Sequence, residues 1–193
     1  MKKAPFKVKL YLIFSFIVDP FYFLYQNIAI LRNKEEKKWL LERWVNKRVK
    51  RPQGQLIWVH IASVGEALST FPLIKKILGD LPDTSVLITS TTKSSAKLLK
   101  NYNEDRVIHQ MSPFDTFFVS NRFLDHWKPD IAFRVESEIW PRILVEIKKR
   151  KVPNYLFNAR FSIKTIERMK NDIISAKYLL SLFDQIHVPE KQS

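Results

Sequence analysis

Hydrophobic positions follow three regimes along the 193-residue chain. Residues 10–31, LYLIFSFIVDPFYFLYQNIAIL, are almost wholly apolar and rich in Phe and Tyr. Residues 32–51, RNKEEKKWLLERWVNKRVKR, are basic, with Trp39, Leu40, Trp44 and Val45 at helical spacing. Arg51-Pro52-Gln53-Gly54 then punctuates the chain as a linker. Beyond it, short apolar runs alternate with longer amphipathic ones. LIWVH (56–60), SVLITST (85–91), RVIHQM (106–111), DIAFRVES (130–137), NYLFNA (154–159) and QIHVP (185–189) predict strands. Helical periodicity predicts helices over about 65–79, 93–101, 115–127, 139–150 and 163–182, the last breaking near Asn171-Asp172.

Near-continuous apolar strands alternating with helices predict an α/β fold. Its Rossmann-like parallel sheet would carry helices on both faces, joined by right-handed crossovers. The expected division is a membrane-associating hydrophobic segment and basic helix over 1–51, followed by an α/β domain over 52–193.

A spanning helix needs about 20 apolar residues, and 10–31 is long enough. Asp19-Pro20 sits at its middle, however, and Gln26-Asn27 interrupts its second half. A carboxylate at the bilayer centre is costly, and proline breaks the hydrogen-bond ladder. Lys2, Lys3, Lys7 and Lys9 make the other flank basic too, so charge assigns no orientation. The pattern predicts an interfacial helical anchor facing anionic lipid headgroups, with a buried hydrophobic hairpin as the alternative. No small-residue cleavage site follows the apolar run, against the expectation for a cleaved signal peptide.

Composition adds a partner class. Lys and Arg number 33 against 19 Asp and Glu, a formal charge of +14, which calls for a polyanion: nucleic acid, an anionic membrane or a phosphorylated substrate. No nucleic-acid recognition motif is present and the aromatics concentrate in the apolar segment, so no nucleic-acid partner is expected. The absence of cysteine excludes disulfides, thiol nucleophiles and Cys-bound zinc, and suits a reducing compartment.

In a sheet of this kind ligands bind outside the carboxyl ends of the strands. The junctions there are HIASVGE, TSTTKSS, MSPFDT, VESEIWP and NARFS, all rich in polar side chains. No Gly-x-Gly-x-x-Gly or Walker sequence is present, the four histidines are scattered without metal-ligand spacing, and Ser63 lacks a nucleophile elbow. No metal site and no cofactor are expected.

Ser63-Val64-Gly65-Glu66 fits a capping box. Glu66 is therefore open to two readings: a cap, or a carboxylate held ionised by the helix dipole and able to accept a proton from a hydroxyl. Glu136 and Glu138 alternate at a strand end, on one side of it, before Trp140-Pro141 opens a helix. Asp115 reads as an N-cap. Arg160 could hold an anion or pair with a carboxylate.

Taken in order, HIASVGEALSTFPLIKKI, ITSTTKSSA, SPFDT, FLDHWKPDIAFRVESEIWPRIL and FNARFS resemble the N-terminal, acceptor-binding domain of the 3-deoxy-D-manno-octulosonic acid (Kdo) transferases of lipid A precursors. The similarity covers essentially the whole chain. It implies the N-terminal half of a two-domain GT-B glycosyltransferase at the cytoplasmic face of the inner membrane of Gram-negative bacteria, acting in lipopolysaccharide biosynthesis. The donor would be CMP-Kdo, held mainly by a C-terminal nucleotide-sugar domain that has no counterpart in this sequence, and the acceptor would be lipid IVA. By resemblance Glu66 is the general base of an inverting displacement and Glu136 the transition-state stabiliser, with Ser63, Gly65, Glu138 and Arg160 as substrate-binding candidates. Arg142 stands where the family has Asn, and TSTTKSS replaces a Thr-Pro-Thr-Gly turn. The chain by itself would be inactive, and the competing reading is a non-catalytic membrane module that binds acidic lipid or lipopolysaccharide precursor.

Overall fold

The computed structural model describes residues 3–31, 37–45, 49–102 and 104–189. Lys2, parts of the basic run (32–36 and 46–48) and the side chains of Gln26 and Asn27 lie outside the described residues.

Strands β1 (Gln55–Ile61), β2 (Thr84–Ser90), β3 (Val107–Met111), β4 (Ile131–Val135), β5 (Asn154–Phe157) and β6 (Gln185–Ile186) pair in parallel in the order β3-β2-β1-β4-β5-β6. This is the doubly wound Rossmann-type order, whose strand sequence reverses between β1 and β4. Apolar residues of β1 point alternately to two cores. Leu56 and Trp58 pack with Phe123, Leu124, Trp127, Ile143 and Ile147. Ile57, Val59 and Ile61 pack with Ala67, Ile74, Leu78 and Leu99 on the other face. The first face is covered by α6 (Phe117–Trp127) and α7 (Pro141–Lys149), the second by α4 (Val64–Asp80) and α5 (Lys93–Lys100). Burial of side chains such as Phe123 or Ile74 is worth about 1.5–3 kcal/mol each, and this term drives the layering.

The expected break near Asn171-Asp172 divides the last helical stretch into α8 (Ile163–Asn171) and α9 (Ile173–Leu180). They part at Asp172, whose side chain accepts the Ser175 N–H at 3.2 Å and so caps α9. The linker before β1 depends on Gly54. Its φ is +78°, and a Cβ there would come within 2.4 Å of the Asp83 carbonyl oxygen.

The N-terminal segment forms α1 (Phe6–Ile17) and α2 (Asp19–Leu31), separated by a bend of 56°. Among the described residues no single helix is long and apolar enough to cross a membrane, and α1 with the first part of α2 reaches that length only across the bend. The Asp19 carboxylate accepts the Phe118 N–H at 3.3 Å, so it satisfies an orphan donor at the start of α6. Phe6, Ile13, Phe14, Phe21, Phe23 and Leu24 are each more than half exposed, which is not the packing of a buried hairpin. Helix α3 (Lys37–Arg43), grouped with the anchor by composition, lies on the sheet. Trp39 packs with Ala96 and Met111, and Glu42 accepts the Met111 N–H at 3.0 Å.

Two local expectations are corrected. Asp115 does not cap α6, whose N-cap position belongs to Thr116. Its carboxylate instead accepts the N–H groups of Arg142 (3.0 Å) and Ile143 (2.8 Å), the open donors of α7. The fourth strand also stops at Val135, because Glu136 has φ +61° and leaves the extended region. Glu136 and Glu138 therefore stand in a turn and do not alternate along a strand.

Candidate functional site

The carboxyl ends of β1 and β4 are neighbours across the reversal of strand order, the position at which the loops of such sheets diverge to form a ligand crevice. The loop after β1 leads into α4 through Ser63, which adopts an extended backbone and caps the helix by accepting the Glu66 N–H at 3.3 Å. The Glu66 side chain turns back over this cap. Oε1 accepts the Ser63 hydroxyl at 3.0 Å and Oε2 accepts the Ala62 N–H at 2.8 Å. The capping box is present, shifted by one residue at its return bond, because the carboxylate reaches Ala62 and not the Ser63 N–H.

Glu66 is 6% exposed, while Ser63 and Gly65 beside it are open to solvent. Burial pushes its carboxyl above the ordinary range; the bonds from Ala62 and Ser63 pull it down, and the negative charges of Glu136 and Glu138 push it up again. The net direction is upward, opposite to what the helix dipole alone predicts. A raised carboxyl is a stronger base once ionised, which suits proton abstraction. A Cβ at Gly65 would meet only Ser63 Oγ, at 3.9 Å, so packing does not demand glycine there.

Across the crevice, the Glu136 N–H donates to the Phe157 carbonyl at 2.9 Å, prolonging the β4–β5 ladder by one bond as the chain turns away. Glu138 follows two residues later. Its Oε2 accepts the Trp140 indole N–H at 2.8 Å and lies 3.3 Å from His60 Nε2. Burial raises the Glu138 carboxyl, but His60, Trp140 and the Arg134 guanidinium outweigh that and hold it low.

Beneath this rim lies a polar cluster that strand patterning does not show. His60, 1% exposed at the end of β1, has Nδ1 2.9 Å from Thr89 Oγ1 and 3.2 Å from Ser112 Oγ. Thr89 Oγ1 also accepts the Trp58 indole N–H at 2.8 Å. Arg134, also 1% exposed, sits 5.0 Å from the Trp58 ring centroid, and burial lowers it to about 10. A histidine and an arginine inside otherwise apolar strands were the available signal, since buried polar groups require partners.

The structure thus brings Glu66, Glu136 and Glu138 near enough for their charges to interact, with Ser63 and Gly65 exposed beside Glu66. Arg160 is exposed in the loop after β5 and forms no ion pair with a described residue. Among the described residues no three potential ligand side chains converge as a metal site.

A family model described as 3-deoxy-D-manno-octulosonic-acid transferase (kdotransferase) matches residues 38–193. A probable mitochondrial 3-deoxy-D-manno-octulosonic acid transferase of Arabidopsis thaliana is 34% identical over 96% of this chain and 42% of its own length. The enzyme of the same name from Rickettsia bellii is 36% identical over 84% of this chain and 39% of its own, and that of Haemophilus influenzae 28% identical over 79% and 36%. The chain thus spans about two fifths of these relatives. A crystal structure of UDP-N-acetylglucosamine 2-epimerase superposes with a TM-score of 0.46 at 14% identity, over 72% of this chain and 43% of that one, too loosely to carry function across.

Proposed function

The chain belongs to the 3-deoxy-D-manno-octulosonic-acid transferase family, and from that we propose that it is the acceptor-binding half of a GT-B glycosyltransferase. The complete enzyme would transfer Kdo from CMP-Kdo to a lipid A precursor, lipid IVA, in lipopolysaccharide synthesis. The observation that carries this reading is the placement of Glu66: a buried carboxylate, bonded on both oxygens, at the β1–β4 crevice and under the influence of Glu136 and Glu138.

In this mechanism Glu66 accepts the proton of an acceptor hydroxyl. The oxygen attacks the anomeric carbon of Kdo, the bond from that carbon to the CMP phosphate oxygen breaks, and CMP leaves with the electron pair. Configuration inverts. Positive charge gathers on the sugar in such a transition state, and the Glu136 carboxylate across the crevice counters it. Ser63 holds Glu66 in place, and Gly65 lets the acceptor approach the helix start. Arg160, exposed and without an ion-pair partner among the described residues, is suited to an acceptor phosphate. CMP-Kdo would be held by a second, nucleotide-sugar domain.

We further propose that α1 and α2 seat the domain on the cytoplasmic face of the inner membrane. Their exposed aromatic and aliphatic side chains would enter the headgroup boundary, and the exposed Lys3 and Lys9 would meet anionic lipids. The chain's formal charge of +14 favours the same surface.

The decisive test is Glu66→Gln in the complete two-domain transferase. Transfer should be lost while lipid IVA binding is kept; normal turnover would overturn the role of base. For membrane seating, Phe21→Ser with Leu24→Ser should weaken binding to anionic vesicles without lowering thermal stability. Undiminished vesicle binding would refute it.

A further inference from the structure

Resting on the same site, we infer that His60 and Glu138 are positioning residues: a neutral imidazole with its proton on Nε2 pins the 136–140 turn through Glu138 and so sets Glu136 across from Glu66.

The tautomer follows from the partners. An ionised carboxylate only accepts hydrogen bonds, so the 3.3 Å contact to Glu138 Oε2 requires the proton on His60 Nε2. Burial holds His60 down to about 4, and it is neutral at physiological pH. Nδ1 is then an acceptor with one lone pair, which the Thr89 hydroxyl fills at 2.9 Å, the shorter of its two contacts, with the Ser112 hydroxyl at 3.2 Å beside it. Thr89 Oγ1 in turn accepts a hydrogen bond from the Trp58 indole N–H, which leaves its own hydroxyl proton free to point at His60. Every proton in the chain Trp58, Thr89, His60, Glu138 has one direction, and the chain runs from the core of β1 and β2 to the catalytic turn.

The turn needs such an anchor. Glu136 holds φ +61°, a conformation a non-glycine residue keeps only when its surroundings impose it. Backbone bonds supply part of the restraint: Glu136 N–H to Phe157, and Ile139 N–H to the Ser137 carbonyl at 2.8 Å. The rest converges on Glu138. Its Oε2 receives both His60 and Trp140, and the Trp140 ring stands edge-on to the imidazole with centroids 4.9 Å apart. The groups facing His60 are therefore Glu138 from the turn, Thr89 and Ser112 from the ends of β2 and β3, and the Arg134 charge from β4. Among these only Glu138 favours protonating the ring, and burial prevails over it.

The test is long-range 1H–15N NMR on the 193-residue chain with labelled histidine, together with amide exchange across residues 137–140. Wild type should show the Nε2–H tautomer, uncharged at pH 6. His60→Ala should speed exchange of the Glu138 and Ile139 amides by roughly tenfold or more, as expected when local structure opens more readily, and His60→Gln should restore part of the protection, since its amide can still donate to Glu138. An Nδ1–H tautomer, a charged ring at pH 6, or unchanged exchange in folded His60→Ala would each overturn the inference. If His60→Ala does not fold, the wild-type tautomer and Glu138→Ala exchange still decide. In the complete transferase, His60→Ala and Glu138→Ala should lower kcat on the order of 100-fold, the cost of a small misplacement of a reacting group, with acceptor KM little changed. Full turnover by Glu66→Gln would remove the base reading and leave the NMR result standing. An inactive Glu66→Gln with the wrong tautomer would remove only the positioning role.

Discussion

The Tyr11 hydroxyl donates to Asp115 Oδ2 at 2.7 Å, joining residues 104 positions apart. The same carboxylate caps α7 through Arg142 and Ile143. Arg142 returns the contact, since its guanidinium donates to Ser15 Oγ at 2.9 Å and to the Leu12 carbonyl, and pairs with Glu146 at 2.9 Å. Helix α1 is thus fastened to the start of α7, immediately after the 136–140 turn.

Asp115→Ala should destabilise the fold by about 2 kcal/mol, because it removes a helix cap and leaves buried donors unmet. Tyr11→Phe, which leaves the cap in place, should cost about 1 kcal/mol. Urea unfolding midpoints at constant m-value measure both. Equal effects would show that the cap contributes nothing.

Gly65→Ala separates packing from ligand approach. The added methyl meets only Ser63 Oγ at 3.9 Å, in the first turn of a helix, so stability should hold or rise by up to about 1 kcal/mol. Acceptor KM in the complete enzyme should nevertheless increase. A variant with unchanged KM would show that the ligand does not cross this backbone.

Burial and the two facing carboxylates raise Glu66 above its ordinary value of 4.5. Activity that needs the ionised base is lost as pH falls through the raised value, so the acid limb of kcat/KM should lie above the ordinary glutamate range. Glu136→Gln removes one of the charges that push it up. Its residual activity should show an acid limb moved downward, and a fixed limb would assign that limb to another group.

His60 and His109 are both held down to about 4 from 6.5, each by burial first. Between pH 6.5 and 4 the unfolded chain takes up protons at these sites that the folded chain refuses, so stability falls as pH falls. Glu66, Asp19, Glu42 and Asp115, all raised by burial, oppose that fall in the lower part of the window. His109→Gln should make stability decline less steeply from pH 6.5 downward in pH-dependent urea melts, and a slope identical to wild type would contradict the direction.

Periodicity by itself determined the strands and helices of residues 55–186 and the parallel α/β class, because burial on both faces of a sheet writes itself as contiguous apolar runs. Ser63 and Glu66 were legible as a pair because a capping box is local, closing within four residues. The apolar stretch before them was legible as one that leaves much of its surface uncovered. Tertiary structure alone decided what Asp19, Asp115 and Arg142 do, since each satisfies groups on helices far away in sequence, and a cap supplied from a distance leaves no spacing to read. It also decided that Glu136 stands in a strained turn and that His60 reaches Glu138, 78 positions away. Hydrogen-bond direction in a buried network depends on which side chains the sheet order brings together, and that order is fixed by how the strands pack, not by any local pattern.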